Sequence, residues 1–65
     1  MPGQITIYYT NWKGVTRMRS ILPIRLFWGK TAYHPDNQWL LEAYDLEDQN
    51  TVKSFAMKDV HIWIQ

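Results

Sequence analysis

Basic side chains gather in one stretch of this 65-residue chain. Lys13, Arg17, Arg19, Arg25 and Lys30 follow one another with no acid between them, whereas Asp36, Glu42, Asp45, Glu47 and Asp48 form a run without Lys or Arg. Arginine suits phosphate because its planar fork donates two parallel hydrogen bonds to it. Aromatic rings interleaved with such cations can stack on bases for about 1–3 kcal/mol each; Trp28 lies within the basic run, and Trp12 and Tyr33 flank it. The net charge of +1 conceals this sorting. If the two runs fall on different faces, a basic side attracts phosphate even at low net charge. If they face each other across paired strands, they neutralise one another.

Other chemistries find little support. There is no cysteine, so neither a thiol nucleophile, a disulfide nor a thiolate metal site is available. Gly3, Gly14 and Gly29 are isolated and make no phosphate loop. His34 with Asp36, and His61 with Asp59, lack the ligand number and spacing of a metal site. The expectation is a protein that is not an enzyme, with no catalytic residues, metal or cofactor. His34 reads as part of a polar loop, His61 as the outer side of a last strand, and Asp45, Glu47 and Asp48 as a solvated turn rather than an acid–base pair. Met1-Pro2-Gly3-Gln4 lacks the basic and apolar regions of a signal peptide. No run approaches the roughly 20 apolar residues that span a bilayer. These features predict a soluble, cytoplasmic protein without a membrane partner.

The elements that must position the cations are strands. Ile5, Ile7 and Tyr9 alternate with Thr6, Tyr8 and Thr10, the period of two of a half-buried strand. Asn11-Trp12-Lys13-Gly14 predicts a hairpin turn in which Gly14 takes a positive φ. A second strand from Val15 would place Arg17 and Arg19 on one face with Val15 and Ile21. Pro23 lacks a donor for a ladder and predicts a bend that separates this segment from Ile24–Trp28. Gly29 to Asn37 reads as a loop. Gln38–Asp45 makes a third strand, with Trp39, Leu41 and Ala43 facing one way and Leu40, Glu42 and Tyr44 the other. A polar turn over Asp45–Asn50, a fourth strand over Thr51–Met57, a tight turn at Lys58–Val60 and a short fifth strand over His61–Gln65 complete the chain. No segment keeps a helical apolar period for three turns.

Five short antiparallel strands with polar turns predict an all-β fold, a small barrel or rolled sheet in one domain over residues 1–65, because closure removes exposed edges. A chain of this size buries only about 60% of its unfolded surface, so its core is thin. The aromatic share of 15% supplies rings that bury about 150–250 Å² each. A thin core also favours association.

At the level of motif, the chain resembles the WYL domain, found mostly in bacterial transcriptional regulators and in some defence-associated proteins. The match runs from Ile5 to Val60. Tyr8-Tyr9-Thr10-Asn11 and Gly14 are similar to the opening strand and turn of that family. Arg19, Pro23, Arg25 and Leu26 resemble its Arg-to-Pro stretch with a basic residue and Leu after it. Trp39-Leu40-Leu41 is similar to the name-giving triplet, followed by Ala43-Tyr44-Asp45, and Lys53-Ser54-Phe55 resembles the closing basic-x-Phe motif before Val60. The chain departs from the pattern at Leu40, where the family has Tyr, at Ala56, where it commonly has Arg, and at Lys58-Asp59, where it has an Asp-Arg pair. Typical members also carry a helix-turn-helix reader, which nothing here could form.

The resemblance implies a five-stranded SH3-like or Sm-like barrel and a regulatory module that binds a ligand or nucleic acid. The expected contacts are Arg17, Arg19, Arg25 and Lys53 on the basic face, with Trp39 from the name-giving triplet. The expected partner is single-stranded nucleic acid or a nucleotide-like ligand. The alternative is a protein-interaction or oligomerisation module, a homo-oligomer or the regulatory partner of another chain, without nucleic-acid binding of its own. Trp, Tyr and Arg dominate interface energetics, and symmetric association suits a thin core.

Overall fold

The computed structural model describes residues 3–65; Met1 and Pro2, part of the N-terminal stretch read above, lie outside the described residues. The strands are β1 (Ile5–Thr10), β2 (Thr16–Gly29), β3 (Gln38–Asp45), β4 (Thr51–Ala56) and β5 (Val60–Ile64), with a single 3-10 turn over Met57–Asp59 between the last two. They form one antiparallel sheet in the order β4-β3-β2-β1-β5. The expected all-β, five-stranded architecture is therefore the one adopted. The sheet curls like a small barrel without closing, since β4 and β5 stand at opposite ends of the order. Among the described residues no helix is long and apolar enough to cross a membrane.

The curl originates in β2. Its first part pairs with β1 from Thr16 to Ile21, and its second part pairs with β3 from Ile21 to Gly29. Ile21 is the residue the two ladders share. Beyond it β2 has a neighbour on one side only, which is where a residue without an N–H is tolerated, and Pro23 sits there. The register with β3 shifts between Pro23 and Arg25. A bulge of this kind bends a strand and increases its twist, so the β1–β2 and β3–β4 hairpins fold toward each other.

Between them lies the core of Ile5, Ile7, Tyr9, Ile21, Leu41, Ala43 and Phe55, with Met57 and Val60 packed on it. Tyr9 of β1 meets Phe55 of β4 edge-to-face, with centroids 5.0 Å apart, although these strands are not neighbours in the sheet. The Ala56 backbone N–H donates to the Tyr9 hydroxyl at 3.3 Å. The edge of β4 thus finds a side chain across the curl. Burial pushes the Tyr9 phenol above its ordinary pKa. Leu40 is fully buried as well, although it stands on the opposite phase of β3 from Leu41 and Ala43. Its cross-strand neighbours are Phe27 and Ala56, and the 3-10 turn that follows Ala56 packs back on β3.

Two turns carry recognisable chemistry. In the β1–β2 turn the Gly14 amide donates to the Asn11 carbonyl at 2.9 Å. The Asn11 Oδ1 accepts from the amides of Lys13 and Val15 at 2.9 and 3.0 Å. Gly14 has φ of +82°, as the sequence predicts. In the β3–β4 turn Gln49 and Asn50 take φ of +54° and +57°, the left-handed region that short polar residues enter more readily than bulky ones.

Ile7 and Ile21 are completely buried, so Ile7→Ala or Ile21→Ala is expected to lower stability by about 2–5 kcal/mol. Leu26 is 55% exposed, and Leu26→Ala is expected to stay within about 0.5 kcal/mol of the parent. Urea unfolding monitored by tryptophan fluorescence would measure both.

Candidate functional site

The last residue of β3 organises the cations. Asp45 is fully buried, not part of the solvated turn the sequence suggests. Its Oδ1 accepts the Glu47 amide at 3.0 Å. Its Oδ2 accepts from Arg19 Nη1 at 2.9 Å and from Lys53 Nζ at 3.0 Å. Lys53 Nζ also lies 2.7 Å from Asp48 Oδ2. Burial works to raise the Asp45 carboxyl, but the Lys53 and Glu47 hydrogen bonds, with the charges of Lys53 and Arg19, outweigh it and hold the group below its ordinary value. Lys53 responds in kind: burial would lower it, and its hydrogen bonds and charge pairing with Asp48 and Asp45 raise it instead. Two cations and two carboxylates cancel, so this assembly is polar and ordered without net charge.

The expected binding residues divide between two faces. Arg19 is nearly buried and Lys53 partly so, and both converge on Asp45. Arg17 precedes Arg19 on the same phase of β2, opposite Tyr9 in the β1 ladder; it is exposed and makes no ion pair among the described residues. Arg25 follows the bulge and pairs with Glu42, on the opposite phase of β3 from Asp45. Its Nε lies 3.1 Å from Glu42 Oε1 and its guanidinium 4.5 Å from the Phe27 ring centroid. Trp39 packs edge-to-face on Trp28 at 5.5 Å, beyond the assembly around Asp45. The chain's sorted charges thus meet and neutralise at Arg19 and Arg25, and stay unpaired at Arg17.

Above Arg19 and Lys53 opens a cleft of about 490 Å³, floored by Tyr9, Arg19 and Phe55. The β1–β2 turn forms one rim with Asn11 and Trp12, and the loop residues Thr31, Tyr33 and His34 form another. This loop closes on itself: the Thr31 amide donates to the His34 carbonyl at 2.9 Å, and the His34 amide donates to the Thr31 carbonyl at 3.1 Å. Lys13 holds its ammonium 5.2 Å from the Trp12 ring centroid. Volumes of this size lie within the range of about 300–1,000 Å³ typical for small-ligand sites. Arg19 Nε is buried without a hydrogen-bond partner among the described residues, so its guanidinium keeps unused donor capacity beside the cleft.

The buried role of Asp45 escapes a reading that treats turn residues as solvated. A signal was present, because Asp45 continues the inward phase of Leu41 and Ala43. The closed Thr31–His34 turn left no such signal. The His61 ring lies 2.7 Å from the Thr10 hydroxyl by Nε2 and edge-on to Tyr8; His34 stays in the cleft rim. Comparison with protein-family models, with curated proteins and with solved structures finds no match.

A carboxyl whose pKa is depressed on folding contributes stability above its unfolded value of about 3.9, and that stability is lost as the pH falls through the native value. The parent is therefore expected to lose urea resistance on acidification below about pH 4. Asp45→Asn leaves Arg19 and Lys53 without their shared counter-charge and is expected to cost about 3–5 kcal/mol at neutral pH, with a flatter acid limb. Denaturation midpoints measured across pH would check both.

Proposed function

We propose that this protein is a WYL-like regulatory module that takes a nucleotide-like ligand or single-stranded nucleic acid at the cleft between the β1–β2 turn and the Thr31–His34 loop. The observation that carries the reading is the company the cleft keeps. Lys13 and Arg17, both without an ion pair among the described residues, lie on or beside the hairpin that forms one rim, and exposed Trp12 and Tyr33 stand at its mouth. Unpaired cations at the rim attract phosphate, and aromatic faces accept bases without regard to sequence. Arg19 and Lys53 belong to the same site in a different capacity: their charges are already met by Asp45 and Asp48, so they shape the floor and offer directed donors. Arg25 and Trp39 fall outside this reading. The motif resemblance supports the regulatory part of it.

A second reading, a protein-interaction or oligomerisation module, is favoured by β5. That strand pairs with β1 alone, and Ile62, Trp63 and Ile64 along it are 51%, 41% and 48% exposed. An edge of this character can pair with another chain.

Anisotropy of a short labelled single-stranded oligonucleotide separates the readings. Binding that weakens steeply with salt is expected, because phosphate contacts release counterions. Lys13→Ala and Arg17→Ala are each expected to weaken binding and to reduce the salt slope by about 1, while Arg25→Ala leaves both unchanged. Absence of oligonucleotide and nucleotide binding, together with a stable oligomer by light scattering, would favour the second reading.

A further inference from the structure

Trp12 and Tyr33 are among the most exposed large side chains of the described residues, at 67% and 70%, yet neither hangs on a loose loop. Trp12 occupies the second position of the Asn11–Gly14 turn, braced by the Asn11 side chain. Tyr33 occupies the third position of the Thr31–His34 turn, where the His34 amide also meets the Thr31 hydroxyl at 3.1 Å. The two turns come from different hairpins, and the curl of the sheet brings their tips together. The ring centroids lie 6.2 Å apart, with planes 32° from parallel.

We infer that Trp12 and Tyr33 are the two jaws of a clamp for one planar base, and that the ligand is a single nucleotide unit with its phosphate toward the cations of the cleft. A ring inserted between two others needs two contact gaps of about 3.5–4 Å, or about 7–8 Å in all. At 6.2 Å the jaws stand about 1–2 Å short of that opening, which small rotations of two exposed side chains supply. Lys13, beside the Trp12 ring, is placed to meet negative charge at the mouth. Lys53 and the partly unused guanidinium of Arg19 lie deeper. A cleft of about 490 Å³ accommodates one base with its sugar and phosphate rather than a run of stacked bases. The shared chemistry, a base joined to a terminal phosphate, occurs in a free nucleoside monophosphate and at the end of a single strand.

This inference rests on the nucleotide-binding reading and sharpens it, and one set of titrations tests the two apart. Adenosine 5′-monophosphate, ribose 5-phosphate and an oligonucleotide with a 5′-phosphate would be titrated by calorimetry into the parent, Trp12→Ala, Tyr33→Ala, Trp12→Phe and Arg17→Ala. The clamp predicts that the monophosphate binds better than the baseless sugar phosphate. It also predicts that each alanine variant loses about 5- to 150-fold, the equivalent of one stacked base, and that Trp12→Phe retains most of the affinity. Salt-dependent binding that falls in Arg17→Ala but not in Trp12→Ala or Tyr33→Ala would overturn the clamp and leave the basic-cleft reading standing. No binding of any probe to the parent would overturn both. Oligonucleotide affinity that requires the 5′-phosphate would assign the strand end as the source. Affinity for the free monophosphate alone would assign the soluble nucleotide. Thermal melts of the variants, whose substituted side chains are exposed, are expected to match the parent.

Discussion

The carboxylate of Asp45 is the point on which the arrangement of this small sheet turns. It is fully buried, and the three donors it accepts come from three places: Arg19 of β2, Lys53 of β4 and the Glu47 amide in the turn between β3 and β4. A buried charge without such partners would be costly enough to be neutralised instead. The Asp45–Thr51 turn then reaches back to β2, where the Ser20 amide donates to the Glu47 carboxylate at 2.6 Å and the Ser20 carbonyl accepts the Leu46 amide at 3.0 Å. Polar bonds thereby set the register of the β3–β4 hairpin against β2 in a protein whose apolar core is thin. Such networks are worth most when every member is satisfied, and among the described residues Arg19 Nε is the member left over.

Curling the sheet has two consequences that belong together. It folds the β1–β2 hairpin over the β3–β4 hairpin, so that Tyr9 and Phe55 meet in the core, and it leaves a cleft above them whose rims are turns. Rims built from turns present side chains outward while their backbones satisfy their own hydrogen bonds. This is how Trp12 and Tyr33 come to be exposed and positioned at once. The same curl stops before β4 can pair with β5, and the Ala56 amide turns to the Tyr9 hydroxyl. Ala56 is itself completely buried, so a long basic side chain at that position would need a different packing of this edge.

Linear charge sorting proved a poor guide to surface potential. The basic run and the acidic run lie on strands that pair, β2 with β3, and cross-strand neighbours are the ones that interact. Arg25 meets Glu42 in that ladder, and Arg19 reaches Asp45. Among the described residues, what remains unpaired is confined to the ends of the run, Lys13 and Arg17 near one turn and Lys30 beside the loop. The described cations whose charge is not met by a carboxylate thus stand at these positions and not in the middle of the stretch.

The strands, the turns between β1 and β2 and between β3 and β4, and most of the core were legible in the sequence, because they depend on local physics. The alternation of Ile5, Ile7 and Tyr9 placed β1, Gly14 and Asn11 placed the first turn, and Pro23 placed the bend in β2. Boundaries moved by a residue or so where a strand passes into a turn, as at Met57, which belongs to the 3-10 segment and not to β4. Leu40 and Asp45 are buried against a strict period-of-two reading and against a solvated-turn reading respectively, since one is covered by packing at the end of β4 and the other by ion pairing. The union of Trp12 with Tyr33, the neutralisation of Arg19 by Asp45 and the separation of Arg25 from Arg19 by one bulge were decided by tertiary structure alone. Period and turn chemistry act over a few residues, whereas these contacts depend on register and curvature accumulated over the whole sheet.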